Sequence, residues 1–188
     1  MWSDGMVWRN PPVSVRQHAG ALVVQTGFET DYWRETFYGF THDNGHHLAR
    51  PGGPSFTAEV HFSAGYQAEY DQAGLMLWGD EAHWVKTGIE WVNGQAHVAC
   101  VVTRGLSDWS QMPVDLPSEG LRLRLHRHGD AIWVQYWTGK VWRMVRLAHF
   151  PEEVTADVGP MCCSPSRAGL EVTFHDFTLG ALESEKAY

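Results

Sequence analysis

Apolar and polar residues alternate with a period of two along most of this chain, and helical periodicity is scarce. The clearest case is 55–63. Phe56, Ala58, Val60 and Phe62 face one way there, and Thr57, Glu59 and His61 face the other. Leu121, Leu123 and Leu125 alternate in the same manner with Arg122, Arg124 and His126. Residues 20–27 read as a strand between two glycines, and 73–78 and 84–92 flank a hairpin-like connection. Asn93-Gly94 is a two-residue hairpin signal. It leads into 95–104, whose apolar run from Val98 to Val102 predicts a strand covered on both sides. Further strands are expected over 131–137, 141–148, 156–163 and 170–179. Roughly ten to twelve strands, with turns every 8–12 residues, predict an all-β fold. Large twisted sheets split or curl, so the expected architecture is a two-sheet antiparallel jelly-roll sandwich.

No internal repeat, low-complexity tract or linker divides the 188 residues, so a single domain is expected, with its core over about 8–182 and a polar tail over 183–188. The one long stretch without clear alternation is 29–54, and long loops in compact domains are often functional. The first five residues lack the basic and apolar regions of a secretory leader, and no apolar run is long enough to span a membrane. With 14 Lys and Arg against 22 Asp and Glu, the formal charge of −8 argues against phosphate-backbone binding. Neither a nucleic acid nor a membrane is an expected partner. Cys100, Cys162 and Cys163 are an odd set, and the adjacent pair points to opposite strand faces. A disulfide framework is not expected, and the reducing cytoplasm is the expected home. His46-His47 and the pair His126 and His128 lack a recognised ligand spacing, so neither a metal nor a cofactor is expected.

Ten tryptophans change this picture. Each indole N–H needs a partner, so some should lie at a surface or cleft. Four segments concentrate aromatic and polar residues. They are Thr30-Asp31-Tyr32-Trp33 with Tyr38 and His42, Tyr70-Asp71-Gln72-Ala73-Gly74-Leu75, Trp84-Val85-Lys86-Thr87-Gly88-Ile89-Glu90, and Thr103-Arg104-Gly105-Leu106-Ser107-Asp108-Trp109-Ser110. On a strand, Trp84, Lys86, Gly88 and Glu90 share one face. Lys86 and Glu90 stand about 13 Å apart at Cα, too far for easy direct pairing, which leaves space over Gly88 for a ligand or a neighbouring side chain. Gln72 belongs to the same sheet surface, opposite the apolar face of Ala73, Leu75 and Leu77. Asp31, Trp33, Tyr38, His42, Gln72, Trp84, Ser107, Asp108, Trp109 and Arg124 are the candidate ligand contacts. An aromatic floor with a few placed polar groups suits a small ligand, and indoles beside carboxylates and amides suit a sugar.

These segments, with Cys163-Ser164-Pro165 and the closing Val172-Thr173-Phe174-His175-Asp176-Phe177, run in order from about residue 20 to 180. In them the chain resembles a bacterial and fungal domain family of unknown function that includes the "regulation of enolase" proteins, in the concanavalin-A-like lectin/glucanase superfamily. The resemblance implies a jelly roll with one ligand-binding sheet. The glucanases of that superfamily carry paired carboxylates on one strand, whereas Lys86-Thr87-Gly88-Ile89-Glu90 offers one carboxylate and a lysine. A retaining glycosidase needs two carboxyls about 5–5.5 Å apart, so hydrolysis by that route is not expected. Three functions stay open. The first is binding of a small carbohydrate. The second is a sugar-active enzyme with Glu90 or Asp71 as general acid/base and Lys86 as electrostatic partner. The third is a metabolic regulator acting through protein contacts.

Overall fold

The computed structural model describes residues 2 and 5–183. The polar tail beyond Glu183 lies outside the described residues, as do Met1, Ser3 and Asp4 of the segment read for a leader. Sixteen strands follow one another, with no helix among the described residues. They begin with β1 (Val7–Arg9), β2 (Ser14–His18), β3 (Ala21–Gln25), β4 (Tyr32–Arg34), β5 (Thr41–Asp43), β6 (His46–Pro51), β7 (Ser55–Ala64) and β8 (Gln72–Asp80). They continue with β9 (His83–Val92), β10 (Gln95–Arg104), β11 (Leu106–Pro113), β12 (Leu121–His128), β13 (Ala131–Trp137), β14 (Trp142–His149), β15 (Asp157–Cys163) and β16 (Glu171–Gly180). The first sheet has the order β1-β6-β15-β8-β9-β10-β11, the second β14-β13-β12-β7-β16-β3-β2, and β4 and β5 form a separate two-stranded ribbon. Every named pairing is antiparallel.

The alternation in the sequence places the core. Phe56, Ala58, Val60, Phe62, Leu121, Leu123 and Leu125 come from the second sheet. They meet Leu75, Leu77, Val85, Ile89, Val98 and Val102 from the first. β10 is covered on both faces, as its unbroken apolar run predicts. Val98, Cys100 and Val102 enter the main core, while Val101 joins a second cluster on the opposite face. Cys162 and Cys163 divide in the same way between the two clusters.

Sixteen strands exceed the ten to twelve expected, and the reasons are physical. β2 is exposed at every residue, so no apolar stripe marks it. β6 carries His46-His47-Leu48-Ala49 buried on both faces, which erases alternation. The stretch 29–54 is therefore an ordered cap: β4 and β5 form a ribbon over the outer face of the first sheet, and β6 then joins that sheet. Under the ribbon lies the second cluster, with Tyr32 and Trp33 packed against Met76, Trp78, Trp84, Val101, Met161 and Cys163. Gly45 turns the chain from β5 into β6. A Cβ there would sit 2.4 Å from the Tyr32 ring, so only glycine lets the ribbon settle on the sheet.

Candidate functional site

The site is built where the ribbon meets β8, β9 and β11. Gln72 and Glu90 are directly opposed on β8 and β9, as are Gly74 and Gly88. Lys86, Gly88 and Glu90 share a face by period-two alternation. The backbones approach closely at the glycine pair, since a Cβ on Gly88 would lie 2.0 Å from the Ala73 carbonyl oxygen. With no side chain there, the Lys86 and Glu90 side chains lean toward each other over the gap. Lys86 Nζ lies 3.8 Å from Glu90 Oε1, which corrects the expectation that Cα separation keeps them apart. The same ammonium donates to Asp31 Oδ1 at 2.8 Å, and Gln72 Nε2 donates to that oxygen at 3.3 Å. Asp31 is fixed from the ribbon side. Its backbone N–H donates to Asn44 Oδ1, and its carboxylate accepts the N–H of Tyr32.

Above this polar floor stand aromatic walls. Asp31, Trp33, Tyr38, Phe40, Tyr70, Gln72, Lys86, Glu90, Trp109 and Pro165 enclose a cleft of about 190 Å³. Trp109 meets Trp33 and Tyr70 edge-on, with ring centroids 6.4 and 6.3 Å away. Tyr38 stacks on Phe40 at 5.5 Å. Tyr70 takes a left-handed backbone conformation, φ 63°, which a bulky residue adopts only under constraint.

Burial governs the charges. Glu90 is 6% exposed, and desolvation raises its carboxyl above the ordinary range. The Lys86 ammonium and the Trp109 indole N–H act against that rise, and Asp31 adds to it. Lys86 is 3% exposed. Burial works against its charge, yet Asp31 and Glu90 outweigh it and raise its pKa, so the ammonium persists. The floor thus holds two carboxyl groups around one cation. It offers hydrogen-bond acceptors, among them a carboxyl whose pKa burial raises.

Of the candidate residues, Asp31, Trp33, Tyr38, Gln72, Lys86, Glu90 and Trp109 converge on the cleft. Trp84 does not line it and packs against Tyr32 and Trp78 in the cluster alongside. Ser107 and Asp108 border an adjoining groove with Trp33, Tyr38 and Trp109. There Ser107 Oγ accepts the Arg34 N–H and hydrogen-bonds Thr103 Oγ1, while Asp108 pairs with Arg146. His42 sits on β5 with its ring against Phe40, outside the cleft.

Two candidates are corrected. Asp71 precedes Gln72 and turns to the opposite side, where it is fully buried. It accepts from Arg167, Ser164 Oγ and the N–H groups of Gln67 and Ala68, and despite burial this cluster lowers its pKa. That is an anchor, not an acid/base in the cleft. Arg124 lies on β12 of the second sheet, bound to Gln135 and Glu183 and stacked over Trp142. Phe40, Tyr70 and Pro165 are lining residues that residue-type reasoning missed. Tyr70 and Pro165 do fall in the quoted motif segments, one residue from Asp71 and within Cys163-Ser164-Pro165.

Two packed antiparallel sheets define a β-sandwich, and the aromatic-walled cleft lies on the outer face of one of them. Solved structures share the fold at low identity. A GH43 protein of Bacillus licheniformis superposes with TM-score 0.70 and 16% identity, over 96% of this chain and 38% of that one. A legume lectin-like domain from Entamoeba histolytica gives 0.62 and 7%, over 95% and 90%. Residues 8–182 match the family described as "Protein of unknown function (DUF1349)", and the chain belongs to that family. "Regulation of enolase protein 1" of Saccharomyces cerevisiae is 44% identical over 175 residues, covering 93% of this chain and 88% of the relative. A crystal structure of a functionally unknown protein from the same yeast superposes with TM-score 0.90 at 42% identity, over 96% and 98% of the two chains.

Proposed function

We propose that the cleft binds a small saccharide or sugar-like ligand. The observation that carries this is the convergence of Trp33, Tyr38, Tyr70 and Trp109 around the half-buried Asp31 and the buried Lys86, Gln72 and Glu90. A ring with an apolar C–H face and a hydroxylated edge matches aromatic walls over a polar floor. The cleft, at about 190 Å³, is smaller than the roughly 300–1,000 Å³ that drug-sized ligands occupy, so one sugar ring is the scale it favours over a polymer. The lectin-like and GH43 neighbours lend the same fold to sugar-related proteins.

The test is a thermal-shift screen of mono- and disaccharides, followed by titration of hits. A ligand at 100 times its Kd stabilises the fold by about 2.7 kcal/mol. For a chain of this size that is a rise on the order of 5–10 °C in Tm. Trp109→Ala is expected to abolish the shift. No shift with any saccharide sinks the reading, as does binding that survives Trp109→Ala.

One observation favours a second reading, a sugar-active enzyme. Glu90, raised by burial beside Lys86 and Asp31, has the character of a general acid. Under that reading, product formation from a bound saccharide disappears in Glu90→Gln while binding persists. Turnover unaffected by the substitution excludes it.

A further inference from the structure

The polar groups of the floor are unequally satisfied. Asp31 Oδ1 accepts from Lys86, from Gln72 and from the Tyr32 N–H. Because the Gln72 amide gives its N–H to a carboxylate, its orientation is set and Oε1 is the atom left over. Gln72 is 3% exposed and lines the cleft, and Oε1 has no partner. Such a buried oxygen carries a desolvation cost that nothing repays until a donor reaches it. Directly across the ladder is Glu90. Side chains opposed in this way have Cβ atoms about 4.5–5.5 Å apart. Glu90 meets Lys86 only at 3.8 Å, and the Trp109 N–H nearby has no acceptor in good geometry. With Glu90 ionised, two acceptors therefore stand side by side with too few donors, and two carboxyls share one ammonium. Trp33, Tyr38, Tyr70 and Trp109 line the same cleft, and an aromatic ring attracts a cation placed over its face.

We propose that the ligand is an amine-bearing saccharide, with its ammonium held between Gln72 Oε1 and the Glu90 carboxylate inside the aromatic walls. This rests on the saccharide reading above and adds the charge of the ligand. A hydroxyl has one proton to give and satisfies one of the two acceptors. An ammonium has three, reaches both, and balances the surplus carboxylate. Lys86 donates to Asp31 and stands 3.8 Å from Glu90 Oε1, which leaves the Glu90 oxygens open to a closer donor. An N-acetylated sugar loses both the charge and the spare donors.

Isothermal titration of the whole chain near neutral pH separates the outcomes. The probes are glucosamine, N-acetylglucosamine, glucose and tetramethylammonium. Glucosamine is expected to bind at least ten-fold more tightly than glucose or N-acetylglucosamine. Gln72→Met and Glu90→Gln are each expected to erase most of that preference, with unchanged Tm confirming that they fold. Glucose or N-acetylglucosamine binding as well as glucosamine overturns the inference and leaves the saccharide reading standing. Tetramethylammonium binding without any sugar, or no binding at all, overturns both. A glucosamine preference that survives both substitutions overturns the assigned contacts.

Discussion

At the scale of single residues, two positions hold the cleft in shape without touching its contents. Gly88 is one, because a methyl group there would collide with the Ala73 carbonyl. Gly88→Ala is expected to cost on the order of 2–4 kcal/mol of stability through forced backbone movement, a value read from urea midpoints. A cost under 0.5 kcal/mol means that the strands can part there. Asp71 is the other. Its bonds to Arg167 and Ser164 tie the segment leading into β8 to the one carrying Pro165. Both Tyr70 and Pro165 line the cleft. Asp71→Asn leaves a partly exposed arginine with a weakened partner and is expected to cost about 2–3 kcal/mol. It also lowers ligand affinity, because Tyr70 is held in its left-handed conformation beside that anchor. Retained affinity at lowered Tm would make Asp71 an anchor of the fold alone. The motif around Asp71 was visible in the sequence, but its side was not. A one-residue offset decides between cleft and anchor, and only the partners Arg167 and Ser164, some 95 positions away, fix it.

At the scale of elements, alternation revealed those strands that bury one face and expose the other, such as β7 and β12. It failed where that contrast is missing. β2 is too exposed, β6 too buried, and β4 and β5 are three residues each. The ribbon matters most, since it brings Asp31 and Trp33 over the sheet and carries Tyr38 and Phe40 in its loop. The residues of the floor were legible because Lys86, Glu90 and Gln72 follow from parity on β8 and β9. Phe40 was not, since nothing local says how a ribbon tip folds back. Phe37 at that tip is 94% exposed, while Tyr38 and Phe40 face the cleft. Phe37→Ala is therefore expected to change stability by less than about 0.5 kcal/mol and to leave ligand binding intact. Phe40→Ala is expected to weaken binding several-fold at nearly constant Tm. Equal effects of the two substitutions on affinity would mean that the whole tip, and not its inward side, forms the wall.

At the scale of the whole molecule, three buried histidines, His46, His47 and His126, have lowered pKa values that tie the fold to pH, the last two most strongly. His47 lies on β6 with neither ring nitrogen partnered. Burial first, and Arg9 second, bring its pKa down to about 3. His126 on β12 shares hydrogen bonds with Thr57 and Gln135. Burial, with Arg124 as the next cause, lowers it to about 4. Both folded values lie below the ordinary histidine value of 6.5. The unfolded chain therefore binds protons that the folded chain refuses, and stability falls as pH drops below about 6.5. By pH 5 each of His47 and His126 accounts for a loss of about 2 kcal/mol. Glu90 works in the opposite direction. Its raised pKa lets the folded state take up a proton first, which offsets part of the loss as pH falls toward the ordinary carboxylate range. Replacing His47 separates the contributions. His47→Leu removes a buried ring with two unsatisfied nitrogens, so it is expected to be near neutral at pH 7.5 and more stable than the parent at pH 5. Urea unfolding at pH 7.5, 6 and 5 measures both chains. Parallel pH profiles would mean that His47 finds a proton acceptor in acid, and a flat parental profile would mean that the outer faces of the two sheets, where His47 and His126 are buried, tolerate their charge.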